Sequence, residues 1–170
     1  MPFSSTSSGR ARRPLPRCSA GFTLVEIVIT LVIVAILAAL AMPSFIEAIR
    51  KGRRSEAFAA VTMVQQAQER WRASNPAYAD LVGAGGEGTT GLGLPELTPT
   101  GYYRLSLANT SATGYDLLAT GEDGTTQAGD SQCRRLGVRV RVGNLTYAGC
   151  GSCTSFGDSD YTDANPCWAR

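Results

Sequence analysis

The sequence predicts an α+β protein: one long N-terminal helix, half transmembrane and half amphipathic, packed on a small antiparallel β-sheet. Three observations predict this. Residues 22–42 read FTLVEIVITLVIVAILAALAM, 21 residues in which Glu26 is the one charge. A helical stripe of apolar residues continues beyond them to about residue 74. Sixteen of the 19 glycines then fall in residues 83–170, between short β-like runs.

The elements follow in chain order. Residues 1–21 carry Arg10, Arg12, Arg13 and Arg17, no acid, Pro14 and Pro16 among its prolines and several serines, the composition of a targeting leader. The apolar run after it spans about 31 Å as a helix, close to the hydrocarbon thickness of a bilayer. A cleaved secretory signal would have a shorter apolar region with its small-residue site behind it. Here the run is longer and Ala20-Gly21 stands in front. Pro43 lacks an N–H and predicts a kink, and Gly52 loosens the helix by about 1 kcal/mol relative to Ala. Ala57, Val61, Val64, Gln68 and Trp71 then recur at 4-3-4-3 spacing, which puts them on one helix face. Asn75-Pro76 predicts the stop. The expected organisation is a leader over 1–21, a hydrophobic helix over 22–43, its amphipathic continuation over 44–74 and a β-sheet domain over 75–170.

Within that last domain, residues 83–101 form a Gly/Thr/Pro-rich loop. Strands are predicted over 102–108, 115–120, 136–142 and 145–148. Val138, Val140 and Val142 alternate with Arg139 and Arg141, the pattern of a half-buried strand. Short polar connectors predict an antiparallel meander, whose apolar face needs the helical stripe as its cover.

The cysteines indicate the compartment. Cys18 lies in the leader, leaving Cys133, Cys150, Cys153 and Cys167, an even set beyond a membrane segment. Four cysteines allow three connectivities. The favoured arrangement is Cys133–Cys167 enclosing Cys150–Cys153, because it pins a C-terminal segment of low apolar content. Closing a loop of about 35 residues contributes roughly 3–4 kcal/mol in the chain-entropy model. The Cys150-Gly151-Ser152-Cys153 spacing also admits a redox pair, which wants a helix N-terminus, or a zinc site, whose strong form has two such pairs. Neither condition is met in the sequence.

Charge and composition narrow the function classes. The chain has no histidine, which removes Ser-His-Asp and Cys-His catalysis and imidazole metal sites. No enzyme activity, cofactor, metal or small-molecule substrate is expected. The net charge is +2 for the whole chain, but without the leader 12 Lys+Arg face 14 Asp+Glu. Residues 75–170 hold 6 basic and 10 acidic residues, so a nucleic-acid partner is not expected. Arg134, Arg135, Arg139 and Arg141 are the candidates if one binds. Both flanks of the apolar helix carry four positive charges, which leaves its orientation undecided by charge.

At Gly21-Phe22-Thr23-Leu24-Val25-Glu26 the sequence resembles the type IV pilins and pseudopilins. Their motif is a Gly, an aromatic residue that becomes the N-methylated terminus, and a hydrophobic run with one Glu at the fifth mature position. Pro43 sits where such pilins carry their helix proline. The ending, Cys133 with Cys167-Trp168, is similar to PilE-type minor pilins. The resemblance implies cleavage after Gly21 and methylation of Phe22 by a prepilin peptidase. It implies residence in the inner membrane with a periplasmic C-terminal domain. Extraction by the pilus assembly platform into an extracellular fibre of pilin subunits would follow. The leader is longer than those common in type IVa pilins, which points to translation starting nearer Leu15. The Cys150/Cys153 pair is not a general family feature.

Physical chemistry gives these positions roles. Gly21 offers a protease close backbone access. A carboxylate costs about 2.5–3.5 kcal/mol at the centre of a membrane helix and less near its end, so Glu26 is expected to serve assembly. Its natural partner is the Phe22 amine of a neighbouring subunit. Thr23 and Pro43 are the other assembly candidates. The function expected is a structural subunit, a minor pilin of a type IV pilus (fimbrium) supporting assembly and twitching motility or cell adhesion. The alternatives are a type II secretion pseudopilin and a DNA-uptake minor pilin.

Overall fold

The computed structural model describes residues 21–169. Residues 1–20 of the expected leader, Cys18 among them, lie outside the described residues. The chain divides into two compact units between Ala41 and Met42, while helix α1 runs from Leu24 to Arg72 with Pro43 inside it.

In the first unit every described residue is exposed. Leucine, isoleucine, valine and alanine fill the helix from Leu24 to Ala41, and α1 is long and apolar enough to cross a membrane. The helix starts on a side-chain cap. The Thr23 hydroxyl accepts from the Glu26 backbone N–H at 3.2 Å, and the Thr23 carbonyl accepts from Ile27 N–H at 3.2 Å. Thr-x-x-Glu is the sequence form of a capping box, and a cap of this kind contributes about 1 kcal/mol.

The second unit has a core of its own. Along α1 the residues Arg54, Ala57, Ala60, Val61, Val64, Ala67 and Gln68 are buried. Four strands follow: β1 (Tyr103–Ala108), β2 (Gly114–Gly121), β3 (Arg135–Arg141) and β4 (Asn144–Cys150). They pair in chain order, β1-β2-β3-β4, antiparallel throughout, with Leu105 opposite Ala119, Leu117 opposite Val138 and Val138 opposite Tyr147. The stripe Ala57, Val61 and Val64 joins Tyr103, Leu105, Tyr115, Leu117, Leu136 and Val138 in one apolar cluster. Each fully buried Leu or Val contributes about 1.5–3 kcal/mol. Trp71, placed on the same stripe by spacing, is half-buried at the helix end.

Polar groups tie the remaining chain to this core. Gln68, fully buried, donates its amide to the Ala79 carbonyl and accepts from the Ala79 N–H, both at 2.9 Å. That closes the turn after the helix and explains a glutamine on the apolar stripe. Arg54 donates to both carboxylate oxygens of Asp130 at 2.9 Å. Asp130 in turn accepts from the backbone N–H groups of Gln132 and Cys133. Glu56 accepts from the N–H and hydroxyl of Thr100, anchoring the loop that leads into β1.

One expectation needs correcting. Val142 does not continue the buried face of Val138 and Val140; it is 79% exposed. It sits in the β3–β4 hairpin turn at φ 49°, beside Gly143 at φ 79°. The turn ends the strand at Arg141 and rotates Val142 off the core face.

Candidate functional site

The residues singled out by sequence fall into three places. The first is the N-terminal end of α1. Gly21 and Phe22 precede the helix in irregular backbone. A side chain built on Gly21 would meet nothing within 4 Å among the described residues. Phe22 is 77% exposed. Thr23 caps the helix, and Glu26 supplies the capped N–H. Its carboxylate has no partner among the described residues. Its position in the first turn is favoured by the N-terminal end of the helix dipole. Among the described residues nothing else explains an acid in this apolar run.

The second place is the C-terminal region. Cys133 and Cys167 are bridged with Cα atoms 5.5 Å apart, and Cys150 and Cys153 with Cα atoms 5.9 Å apart. The first pair is buried, whereas the second is half-exposed at the end of β4. A β-carbon on Gly149 would lie 2.5 Å from the Cys167 β-carbon, so glycine is required where the C-terminal segment crosses β4. Trp168 follows directly, stacked on Phe58 at 4.9 Å and donating its indole N–H to the Ala148 carbonyl at 2.8 Å. Residues 151–157 form no helix, so no helix N-terminus activates Cys153. Among the described residues no group of three or more acids and cysteines could hold a metal.

The third place is the set of arginines on β3. They are engaged within the sheet. Arg139 donates to Asp116 at 2.8 and 3.0 Å and to Asp158 at 2.7 Å, and it lies over the Tyr161 ring. Arg141 reaches the same Asp116 at 3.0 Å. Burial pushes the Asp116 carboxyl up, but donors from Arg139 and Asn109 and the charges of Arg139 and Arg141 hold it below its ordinary value. Burial raises the Tyr161 phenol to about 12, so it is neutral at pH 7. Arg134 pairs with Asp123 at 2.6 Å. Arg135 instead donates to the Thr154 carbonyl and has no acidic partner among the described residues. Sequence spacing gave no sign of these pairings, because the acids lie on other strands and loops.

A basic group that spacing did not single out stands at the start of the second unit. Arg50 and Arg53 both donate to Thr126, in the loop between β2 and β3, and Arg53 lies 3.9 Å over the Tyr102 ring. Lys51 is exposed between them. Arg134, paired with Asp123, meets the same loop from its far end.

Comparison with known families accounts for both ends of α1. Residues 16–42 match the prokaryotic N-terminal methylation motif. Residues 43–137 match the family described as type IV minor pilin ComP, DNA uptake sequence receptor. No curated protein matches the chain. The second match covers more than half the sequence, from the proline in α1 through the middle of β3, so the chain belongs to the type IV minor pilin ComP family.

Proposed function

We propose that this type IV minor pilin is cleaved after Gly21, methylated at Phe22 and assembled into a pilus that takes up DNA. The observation that carries the reading is the match of residues 43–137 to a minor pilin family described as a DNA uptake sequence receptor. The methylation motif over 16–42 supports processing. An exposed apolar helix supports residence in the inner membrane before assembly, with residues 42–170 on the periplasmic side. Pilin families are structural proteins, and twitching and adhesion would be secondary outcomes of a fibre of this type. The same match weighs against the type II secretion alternative.

Glu26 is proposed to pair with the methylated amine of Phe22 on a neighbouring subunit. In a dry bundle of helices, an unpaired charge is far costlier than in water. Phosphate contact is assigned to the basic group around Thr126, with Lys51 as its most exposed member. Arg139 and Arg141 are committed to Asp116; in the basic group Arg50 pairs with Glu47 and Arg134 with Asp123, which leaves Lys51 and Arg53 as the members that carry the contact. The acidic balance of the domain then limits binding to one face instead of opposing it.

The test is a deletion strain and its complementation. Loss of natural transformation with intact exoprotein secretion is expected. Lost secretion with normal transformation would overturn the reading. A gel shift with the full chain and duplex DNA checks the face: Lys51→Gln should weaken binding and flatten its salt dependence by about one unit of slope.

A further inference from the structure

Two clefts in residues 42–170 join along α1. One, of about 440 Å³, is lined by Phe58, Tyr147, Asp163, Asn165 and Trp168. The other, of about 760 Å³, is lined by Gln66, Glu69, Arg70, Tyr78, Tyr115 and Leu145. Thr62 and Gln65 line both, so the two form one trough between the helix and the β4 side of the sheet.

Its chemistry is specific. At one end Trp168 lies 4.9 Å from Phe58 and 5.1 Å from Tyr147, an aromatic platform. At the middle, the Gln65 and Gln66 amides have no partner among the described residues. At the other end Tyr115 is fully buried, with Tyr78 edge-on at 4.8 Å. The Tyr115 hydroxyl is buried with no hydrogen-bond partner among the described residues. Leaving such a group unpaired costs about 1–3 kcal/mol, and native structures rarely tolerate it without a reason. Burial raises this phenol well above its ordinary value, so it stays a neutral hydroxyl. Three charged residues line the trough, Glu69 and Asp163 against Arg70.

The lining excludes several occupants. A phosphate-bearing strand needs a positive groove, and this one carries more acid than base. A peptide added as a strand to β4 would need its free edge. At Tyr147 that edge is already paired, with N–H to carbonyl bonds to and from Thr162 at 2.7 and 2.9 Å. A purely apolar ligand would leave the amides and the hydroxyl unsatisfied. A neutral ligand with hydroxyls on its edges and apolar C–H faces satisfies all of them.

We infer that this trough is a binding site for a neutral oligosaccharide. One sugar ring lies on the Trp168 platform. The Gln65 and Gln66 amides bond the hydroxyls of the next, and the Tyr115 hydroxyl closes the far end. The inference stands independently of the DNA-uptake reading, because it uses none of the same residues.

The test uses the full chain in phosphocholine micelles, since glycoside detergents would compete. A Trp71→Phe background leaves Trp168 as the one tryptophan, and its emission is followed during titration with maltotriose, cellotriose and chitotriose. A saturable change with at least one trisaccharide is expected. Gln65→Ala should weaken it about tenfold, and Tyr115→Phe several-fold, while thermal stability of Tyr115→Phe is unchanged or raised. Lys51→Gln should leave it unchanged. Three outcomes overturn the site: no saturable change with any of the three sugars, affinity in both Gln65→Ala and Tyr115→Phe equal to that of the parent, or displacement of the bound sugar by an eight-nucleotide thymidine strand.

Discussion

Helix α1 has one secondary structure and two opposite surfaces. From Leu24 to Ala41 it is exposed on every side and apolar apart from Glu26 and Thr30. From Arg54 to Gln68 it buries a stripe against its own sheet. The first stretch answers to a solvent and partners outside the chain; the second answers to the fold. Substitutions in the first should therefore leave the domain folded and abolish assembly. Those in the second should unfold the domain and leave the membrane stretch untouched. The comparison breaks if either class behaves like the other.

The largest effect is expected at Glu26. Glu26→Ala should give a processed, membrane-resident subunit that is absent from sheared pili, with the melting of the 42–170 unit unchanged. Normal incorporation would remove the role proposed for its carboxylate.

The Arg54–Asp130 pair is next. Both side chains are nearly inaccessible, so Asp130→Asn strands a buried guanidinium and Arg54→Met strands a buried carboxylate, each costing about 3–5 kcal/mol. Replacing both with apolar residues should recover most of the loss. Thermal unfolding of the single and double variants separates a stranded charge from lost packing.

The disulfides should rank below this and differ from each other. Cys133 and Cys167 are 34 residues apart in sequence and Cys150 and Cys153 are 3 apart. Chain entropy assigns about 4 kcal/mol to the longer loop and about 2 kcal/mol to the shorter. Cys167→Ser should therefore lower Tm more than Cys153→Ser. The half-exposed Cys150–Cys153 pair should also be the first to yield thiols under mild reductant.

The smallest effect is in pH. Asp116 and Glu56 are both held below their ordinary values of 3.8 and 4.5, against the opposing effect of burial. Carboxyls depressed on folding stabilise the fold above their unfolded pKa, and that contribution is lost as pH falls through the folded values. Stability should be level near neutrality and decline below about pH 4. Asp116→Asn should shrink the decline.

Much of this comparison was legible in the sequence, and the rest was hidden for identifiable reasons. The two halves of α1 were readable because helix periodicity is local: Ala57, Val61, Val64 and Gln68 carry the stripe without reference to any other element. The strands were readable within one or two residues from their alternation. Thr23 was expected only as an assembly candidate, and its capping of the Glu26 N–H emerged from the structure, although Thr-x-x-Glu is a local signal that could have shown it. The partner of Arg54 was not legible, because Asp130 lies 76 residues away and nothing local marks either residue as buried. The ion pairs of Arg139 and Arg141 were hidden for the same reason: Asp116 stands opposite Arg139 only once β2 and β3 are in register. Val142 continued an alternation in sequence that the hairpin turn ends in space. The trough depends on helix and sheet edge meeting, so Gln65 and Tyr115 carried no joint signal.

The central claim is that the exposed half of α1 is built for a fibre of processed subunits. Mass spectrometry of sheared pili tests it most directly. The expected subunit begins at an N-methylated Phe22, lacks residues 1–21 and has its four remaining cysteines bridged as two pairs. A subunit that keeps residues 1–21, or one present in the membrane and absent from pili that are otherwise intact, would contradict it.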